Sequence, residues 1–513
     1  MSASHYDVVV LGADLAPLTC AALLAKRGFR VLVLGQGTAH AAYRLGGFRL
    51  PRRPCIFTAH GTPVAERVLA ELGLQPAVRR ASRALDPPFQ VVLPNHRVDM
   101  ARDPALLERE IEREFARVKR PALDFFARVT DLSTAVDALF AHDATWPPES
   151  LWERRRAAHA SAHVPFERDT PGPDILAEFP EDHPFRATAI APHLFASDAD
   201  AWPAPALGLA RLLACAQRTV SLDGGHAALS DLLRERITAH GGTVRIDERA
   251  HAVVVHRGTA VAIVLAGSGD EVAAEFIVAG TDVDALLRLV PDRHPFEELY
   301  DRYGEPRVRL YRYVLNVVLP ADVLPEAFGA HVFRLGPNRV VDARASSAED
   351  AVHLQRTSLD ERTDLVTIEA LLPSGRVESE DGYLDTSRAR LLDALEDVAP
   401  FSREHVVLVD SPHDGAPPVV HDATLDVSLD VTERRGPHTM QAVHAFPVMS
   451  QHGLCALPAR TPIRRLLLCN TQMLPSLGME GQWLAACSAA RIVTHADRTR
   501  AWMRRRTWSR VRI

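Results

Sequence analysis

The chain has 513 residues, of which 47% are apolar and 24% charged, and a formal net charge of −6. This length allows two or three domains with a large core, and the composition excludes a disordered or fibrous protein. There is no run of eighteen apolar residues and no secretory signal pattern. We therefore expect a cytoplasmic protein that has reduced cysteines and no nucleic acid partner.

The first predicted unit is a strand, a tight turn, a helix and a second strand. Tyr6–Leu11 (YDVVVL) is typical of a buried strand, and the helix after it presents Leu15 and Leu18 on one face and ends at Gly28. Arg30–Leu34 (RVLVL) then predicts a second buried strand. This order of elements opens a dinucleotide-binding fold.

The turn in this unit departs from the glycine pattern G-x-G-x-x-G that a dinucleotide site uses. Only Gly12 matches it, because Asp14 stands at the second glycine position and Pro17 at the third. Gly35 stands where an acidic residue would bind a ribose hydroxyl. The pattern predicts the fold but indicates a compromised cofactor site.

Asp14 allows two interpretations. An ionised carboxylate about 4 Å from a diphosphate would repel it by about 4 kcal/mol, which corresponds to about a thousandfold loss of affinity. Alternatively, Asp14 caps the following helix and satisfies the amides that a phosphate would otherwise bind. Both interpretations argue against tight binding.

The rest of the chain alternates between helical and strand patterns, without internal repeats. Residues 38–100 favour loops with short strands, and a helix is expected to start at Asp103-Pro104. An antiparallel sheet with one helix, Ser387–Val398, is predicted within residues 306–440, and a closing helix is predicted at 481–494. The patterns also predict further strands at Thr243–Ile246, Ala252–His256, Ala260–Leu265, Glu275–Ala279 and Arg465–Leu468.

Four stretches in this order resemble the FAD-dependent phytoene desaturase and flavin amine oxidase-like family of NAD(P)/FAD-dependent oxidoreductases. The resemblance covers nearly the whole chain, although its FAD motifs are eroded. The stretches are the N-terminal unit, LDGGHAAL (222–229), GGTVRI (241–246) with FIVAGTD (276–282), and TPI (461–463) leading to Pro475, Gly478 and Gly481.

The resemblance implies an α/β fold, namely an FAD-binding Rossmann-like domain of the glutathione-reductase type with an inserted α+β substrate domain. The FAD-binding-like domain would comprise residues 1–75, 206–297 and 455–497, and the substrate domain residues 76–205 and 298–454. The implied cofactor is FAD, and the implied partner is an apolar, isoprenoid- or lipid-like small molecule.

The resemblance also implies a set of cofactor-binding residues but no catalytic residue, and no metal site is expected. The family uses a backbone amide at the position of Ala250 to bind adenine, and its closing loop packs against the flavin. The family's Gly-Gly-Arg motif after the second strand is missing here. The implied cofactor-binding residues are Gly12, Ala13, Asp14, Leu15, Gly35, Ala250, Asn470, Pro475, Gly478 and Gly481.

Two functions of different classes stay open. One is a desaturase-like flavoprotein oxidoreductase that has a divergent cofactor site and transfers a hydride from an apolar substrate to FAD. The other is a non-catalytic pseudoenzyme of the same fold, which does not bind FAD and serves as a binding or scaffolding protein. Lys26 and Lys119, the only two lysines, lie far in sequence from the closing loop, which disfavours a lysine-dependent amine oxidase.

The C-terminal tail, residues 498–513, carries seven arginines and two tryptophans but no acidic residue. This composition predicts that the tail attaches either to an anionic membrane or to an acidic protein partner. Attachment to a membrane would place the protein peripherally on its inner face. The alternative is a solvated terminus.

We expect full-length protein to float with anionic liposomes at low salt, and a version that ends at Asp497 to float less. Equal flotation of the two would rule out the membrane role.

Overall fold

The computed structural model describes residues 5–38, 40–142, 144–161, 164, 174–200, 204–337, 350–421, 425, 435–447, 454 and 456–496. The predicted basic tail, residues 498–513, lies outside these described residues. Within them, no helix combines the length and the apolar character needed to cross a bilayer.

The described residues form twenty strands. In chain order they are β1 (His5–Leu11), β2 (Val31–Leu34), β3 (Ala42–Leu45), β4 (Phe48–Pro51), β5 (Ser82–Ala84), β6 (Gln90–Leu93), β7 (His96–Asp99), β8 (Val220–Leu222), β9 (Thr243–Arg245), β10 (Ala250–His256), β11 (Thr259–Leu265), β12 (Glu271–Ala279), β13 (Arg307–Pro320), β14 (His331–Leu335), β15 (Ala351–Ser358), β16 (Thr363–Pro373), β17 (Leu408–Asp410), β18 (Val419–Val420), β19 (Gln441–Ala445) and β20 (Leu466–Leu468).

Fourteen α-helices accompany these strands in the same part of the chain. They are α1 (Leu15–Lys26), α2 (Pro63–Leu72), α3 (Gln75–Ala81), α4 (Pro104–Phe115), α5 (Lys119–Ala141), α6 (Leu151–Ala160), α7 (Pro184–Ala196), α8 (Ala206–Ala216), α9 (Gly225–Ala239), α10 (Val283–Leu287), α11 (Glu297–Tyr303), α12 (Ser374–Ser379), α13 (Tyr383–Val398) and α14 (Gly478–Ala496).

The first sheet has the strand order β10-β11-β12-β1-β2-β9, and β20 also pairs with β12. Strands β1, β2, β9, β12 and β20 run parallel, with Val8 opposite Val31 and Ile277 opposite Leu466. Its strands come from residues 5–34, 243–279 and 466–468, and so from all three predicted segments of the FAD-binding-like domain. The predicted fold class is confirmed, while the domain boundaries stay predictions.

Helix α1 lies deep in the molecule, between the first sheet and helices α2, α9 and α14. Every residue from Leu15 to Ala25 is buried. The sequence predicted a single apolar face, but neighbours on all sides require this helix to be apolar and small all around.

Pro17 packs directly on the end of β12, because Gly280 has no side chain there. A Cβ atom at Gly280 would lie 2.5 Å from Pro17 Cγ and 2.9 Å from the Leu11 carbonyl oxygen. The close helix–strand approach that the motif's third glycine normally permits is therefore permitted here by a glycine on the neighbouring strand.

The second sheet has the order β18-β17-β13-β16-β15-β14-β6-β7, with β19 paired to β13. It confirms the antiparallel sheet predicted within residues 306–440. It also takes in the short strands β6 and β7, from a region for which the sequence predicted loops with short strands. Helix α13 packs on one face, and α4, α5, α7 and α8 form a helical layer against the other.

We expect Gly280→Ala to lower the free energy of unfolding by about 1–3 kcal/mol, the usual cost of overpacking. Pro17→Gly in the same chain should recover part of this loss, because it removes the atoms that the new methyl group meets. Gly267→Ala is the matched control, since a Cβ there meets nothing within 4 Å. Chemical unfolding of the variants measures the effect, and equal losses for Gly280→Ala and Gly267→Ala would contradict this packing.

Candidate functional site

The site is a cleft of about 460 Å³ between the carboxyl ends of β1 and β12 and the facing part of the second sheet. Parallel α/β sheets bind ligands at this edge. Of the predicted cofactor-binding residues, the structure brings four to the wall of the cleft: Ala13, Asp14, Leu15 and Asn470.

The turn after β1 keeps the shape of a dinucleotide-binding turn. Gly12 has a φ of +110°, which residues with a side chain rarely adopt, and its N–H donates to the Leu34 carbonyl oxygen at 2.8 Å. The next amide, that of Ala13, donates to the hydroxyl of Thr38 at 3.3 Å. The Ala13 amide of this turn therefore already has a hydrogen-bond partner, the Thr38 side chain.

Asp14 stands at the N-cap position of α1, but its carboxylate makes no capping hydrogen bond. The interpretation of Asp14 as a side-chain cap is therefore wrong. Its side chain is exposed to the cleft, and the surrounding walls remove enough hydration to raise its pKa to about 6. The nearby carboxylates of Asp282 and Asp198 raise the pKa in the same direction.

Gly35 lies at the end of β2 against the segment that follows β9. A Cβ atom there would lie 1.8 Å from the carbonyl oxygen of Ile246. No side chain fits at this position, so an acidic residue for a ribose hydroxyl could stand here only if the neighbouring segment moved. Gly35 itself does not line the cleft.

Gln36 pairs with Ala250, the residue at which the resemblance implies that a backbone amide binds adenine. Its side-chain amide group donates to the Ala250 carbonyl oxygen at 2.7 Å, and its Oε1 accepts from the Ala250 N–H at 2.8 Å. Both backbone groups of Ala250 are thus paired with one side chain. No local sequence pattern indicates this pair, whose members are 214 residues apart.

The closing loop holds the two parallel strand ends together. Asn470, just after β20, donates to the carbonyl oxygen of Thr281 at 2.7 Å. A Cβ at Gly478 would lie 2.0 Å from the Ala196 carbonyl oxygen, and one at Gly481 would lie 2.1 Å from that of Leu474. Close packing of α14 thus explains both glycines, and neither they nor Pro475 line the cleft.

The walls of the cleft outside the first sheet are rich in arginine and histidine, which come from residues 40–53, from α9 and from the second sheet with its connecting loops. Burial lowers the pKa of His226 to about 4 and that of His413 to about 3, so both imidazoles are neutral near pH 7. These two imidazoles therefore add no positive charge to the wall, whereas its arginines do. The basic and imidazole side chains in the wall of the cleft are His40, Arg52, Arg53, His226, Arg234, Arg312, His413 and His438.

Two of these arginines belong to a buried ion-pair network. Arg312 contacts Glu369 at 2.9 Å and Asp198 at 3.5 Å, while Arg53 contacts Asp198 at 3.4 Å and Glu369 at 3.9 Å. Burial alone would raise the pKa of Glu369, but Arg312, His353 and Arg53 outweigh it and hold the value at about 2. Two cations thus face two carboxylates in fixed positions. Sequence reasoning missed this network because its members come from distant segments.

Comparison with known proteins identifies the fold. The family described as NAD(P)-binding Rossmann-like domain matches residues 10–72, and no curated protein sequence matches the chain. An oxidoreductase from Methanosarcina mazei aligns over 94% of this chain and 99% of its own, with 16% identity and a TM-score of 0.56.

Two amine oxidases have similar structures. A putrescine oxidase variant with redesigned cofactor binding covers 96% of this chain and 99% of its own, with 13% identity and a TM-score of 0.57. Cyclohexylamine oxidase from Brevibacterium oxydans covers 96% and 99%, with 14% identity and a TM-score of 0.54. The chain therefore has the fold of the amine oxidase-like flavoproteins, as the resemblance predicted.

The raised pKa of Asp14 gives a prediction about stability. Because the folded protein holds this proton more tightly than the unfolded chain, the contribution of Asp14 to the free energy of unfolding is full below about pH 4 and is lost as the pH rises through about 6. The side chain of the Asp14→Asn variant does not titrate. We therefore expect the free energy of unfolding of this variant to rise relative to that of the parent protein when the pH is raised from about 4 to above 6.

Urea unfolding at about pH 4 and about pH 7 measures this difference. Asp231→Asn, which removes the carboxylate of an exposed acid paired with Arg49, is the matched control. A stability difference between parent and Asp14→Asn that is the same at both pH values would contradict the raised pKa.

Proposed function

We propose that this chain is a non-catalytic protein of the flavin oxidase fold, which does not hold FAD and uses its polar cleft for binding. Three observations support the proposal, because in each of them the chain's own groups occupy or block a position at which the resemblance implies dinucleotide binding. Thr38 takes a turn amide, Gln36 takes both backbone groups of Ala250, and the space beside Gly35 admits no side chain.

The charge of Asp14 is a smaller obstacle than the sequence indicates. Because the pKa of Asp14 is about 6, its carboxyl group can be protonated when a ligand binds at pH 7. This protonation would lower the affinity for FAD by only about tenfold. This is less than the thousandfold expected from unrelieved repulsion, so protonation would limit the penalty. The case against FAD therefore rests more on the occupied and blocked positions than on the charge.

These positions do not fit FAD as they stand. An adenine would need the Ala250 amide, which would leave the Gln36 side chain to find other partners. A ribose would find no acidic acceptor at Gly35. Each lost buried hydrogen bond costs about 1–3 kcal/mol, and the losses fall on the same ligand.

The second candidate is a desaturase-like oxidoreductase that transfers a hydride from an isoprenoid- or lipid-like substrate to FAD. The intact Gly12 turn and the 460 Å³ cleft favour it. Such a substrate needs a dry apolar pocket, whereas the described wall of the cleft carries four arginines and four histidines. This wall favours a polar ligand, which supports the first proposal.

We expect the combined substitutions Asp14→Gly and Gln36→Ala to raise the affinity for FAD by at least about tenfold, and more than either substitution alone. The first removes charge and bulk at the turn, and the second frees the Ala250 amide. Quenching of FAD fluorescence on titration with protein measures the dissociation constant.

Gln75→Ala, which removes a side chain outside the cleft, is the control and should change nothing. Equal and tight FAD binding by the parent protein and the double variant would contradict the proposal. Adding Gly35→Glu should not improve binding, because the new side chain would meet Ile246.

A further inference from the structure

A second cavity, also of about 460 Å³, lies in the helical layer and shares no residue with the cleft. It is a groove formed by the start of α4, the middle of α5 and the end of α8, and we call it the helical groove. Its wall consists of Ala101, Arg102, Pro104, Leu107, Leu123, Phe126, Ala127, Thr130, Ser133, Thr134, Asp137, Ala214, Gln217 and Arg218.

The floor of the helical groove is apolar. Leu107, Phe126 and Ala214 are each 7–8% exposed, and Leu123 and Ala127 extend the same surface along α5. Its volume falls within the range of small-molecule sites, which are concave and mostly apolar with a few polar groups. The helical groove therefore offers an apolar surface, whereas the wall of the cleft is rich in charged and polar side chains.

Two arginines stand at one end of the helical groove. The Arg102 guanidinium donates to the carbonyl oxygen of Thr219. Arg218 lies 3.7 Å from the carboxylate of Asp137, which Arg211 already holds at 2.6 Å. Among the described residues, Arg102 contacts no carboxylate and Arg218 has only this distant, shared one. The end of the groove therefore carries a net positive charge.

A neighbouring histidine responds to the same charges. Burial lowers the pKa of His60, and Arg102 and Arg218 both lower it further. The charges of both guanidinium groups thus reach the same imidazole, which agrees with their both lying in the wall of the groove.

We propose that the helical groove binds an alkyl carboxylate, with its hydrocarbon chain on the floor of Leu107 and Phe126 and its head group between Arg102 and Arg218. Guanidinium groups form charge-assisted hydrogen bonds with carboxylates, which selects an anion over a cation or an alcohol with the same chain. The chain supplies most of the buried area, so a short carboxylate binds much more weakly.

Calorimetry with dodecanoate below its micelle concentration tests this site. We expect one molecule bound per chain, and about tenfold or more weaker binding for Arg218→Gln and for Arg102→Gln. Dodecyltrimethylammonium and acetate should bind much more weakly than dodecanoate. Ala127→Trp should abolish binding by filling the groove, and because Ala127 is exposed on α5 the fold should tolerate it.

Matched controls lie outside the groove. Arg128→Gln removes an arginine that is on α5 and paired with Glu178, and Ala158→Trp adds the same ring on α6. Both should bind dodecanoate like the parent protein. No binding by the parent, equal binding of the ammonium amphiphile, or unchanged binding by Ala127→Trp and both arginine variants would overturn the proposal. The result is independent of FAD binding, so the two proposals can fail separately.

Discussion

The close approach of β2 to the segment after β9 determines the character of the cleft. The Ile246 carbonyl oxygen occupies the space that a side chain at Gly35 would need. The chain then turns at Gln36, which has a φ of +50° and pairs its side-chain amide with both backbone groups of Ala250. Thr38 lies two residues after Gln36 in the chain, so its position depends on that of Gln36. The Thr38 hydroxyl accepts a hydrogen bond from the Ala13 amide. One steric constraint thus accounts for three departures from a dinucleotide site.

The interior of the cleft is organised by charge rather than by apolar contact. Arg53 and Arg312 neutralise Asp198 and Glu369 in a network whose members Arg312, Asp198 and Glu369 are buried, while the side chain of Arg53 is 20% exposed. Such groups are held by their partners, because breaking one pair would leave an uncompensated buried charge. On the opposite wall, burial and the nearby carboxylates of Asp282 and Asp198 raise the pKa of Asp14. A ligand of this cleft must match polar groups on both walls, whereas the helical groove offers an apolar floor.

The sequence predicted the fold because local patterns determine it. Alternation and helical spacing gave β1, α1 and β2 nearly to the residue, and the start of α4 was read from Asp103-Pro104, where the carboxylate does cap the helix. Contacts between distant segments could not be predicted in this way. The compensation of Pro17 by Gly280 and the pairing of Gln36 with Ala250 each join residues more than 200 positions apart, and no periodicity records them.

The central claim is that the chain itself closes the dinucleotide site of a flavin oxidase fold. The visible absorption spectrum of the full-length protein, purified without added cofactor and checked for folding by circular dichroism, tests this claim most directly. We expect a folded protein without the visible absorption bands of a flavin, even after growth with excess riboflavin. A folded protein that carries stoichiometric FAD through desalting would contradict it.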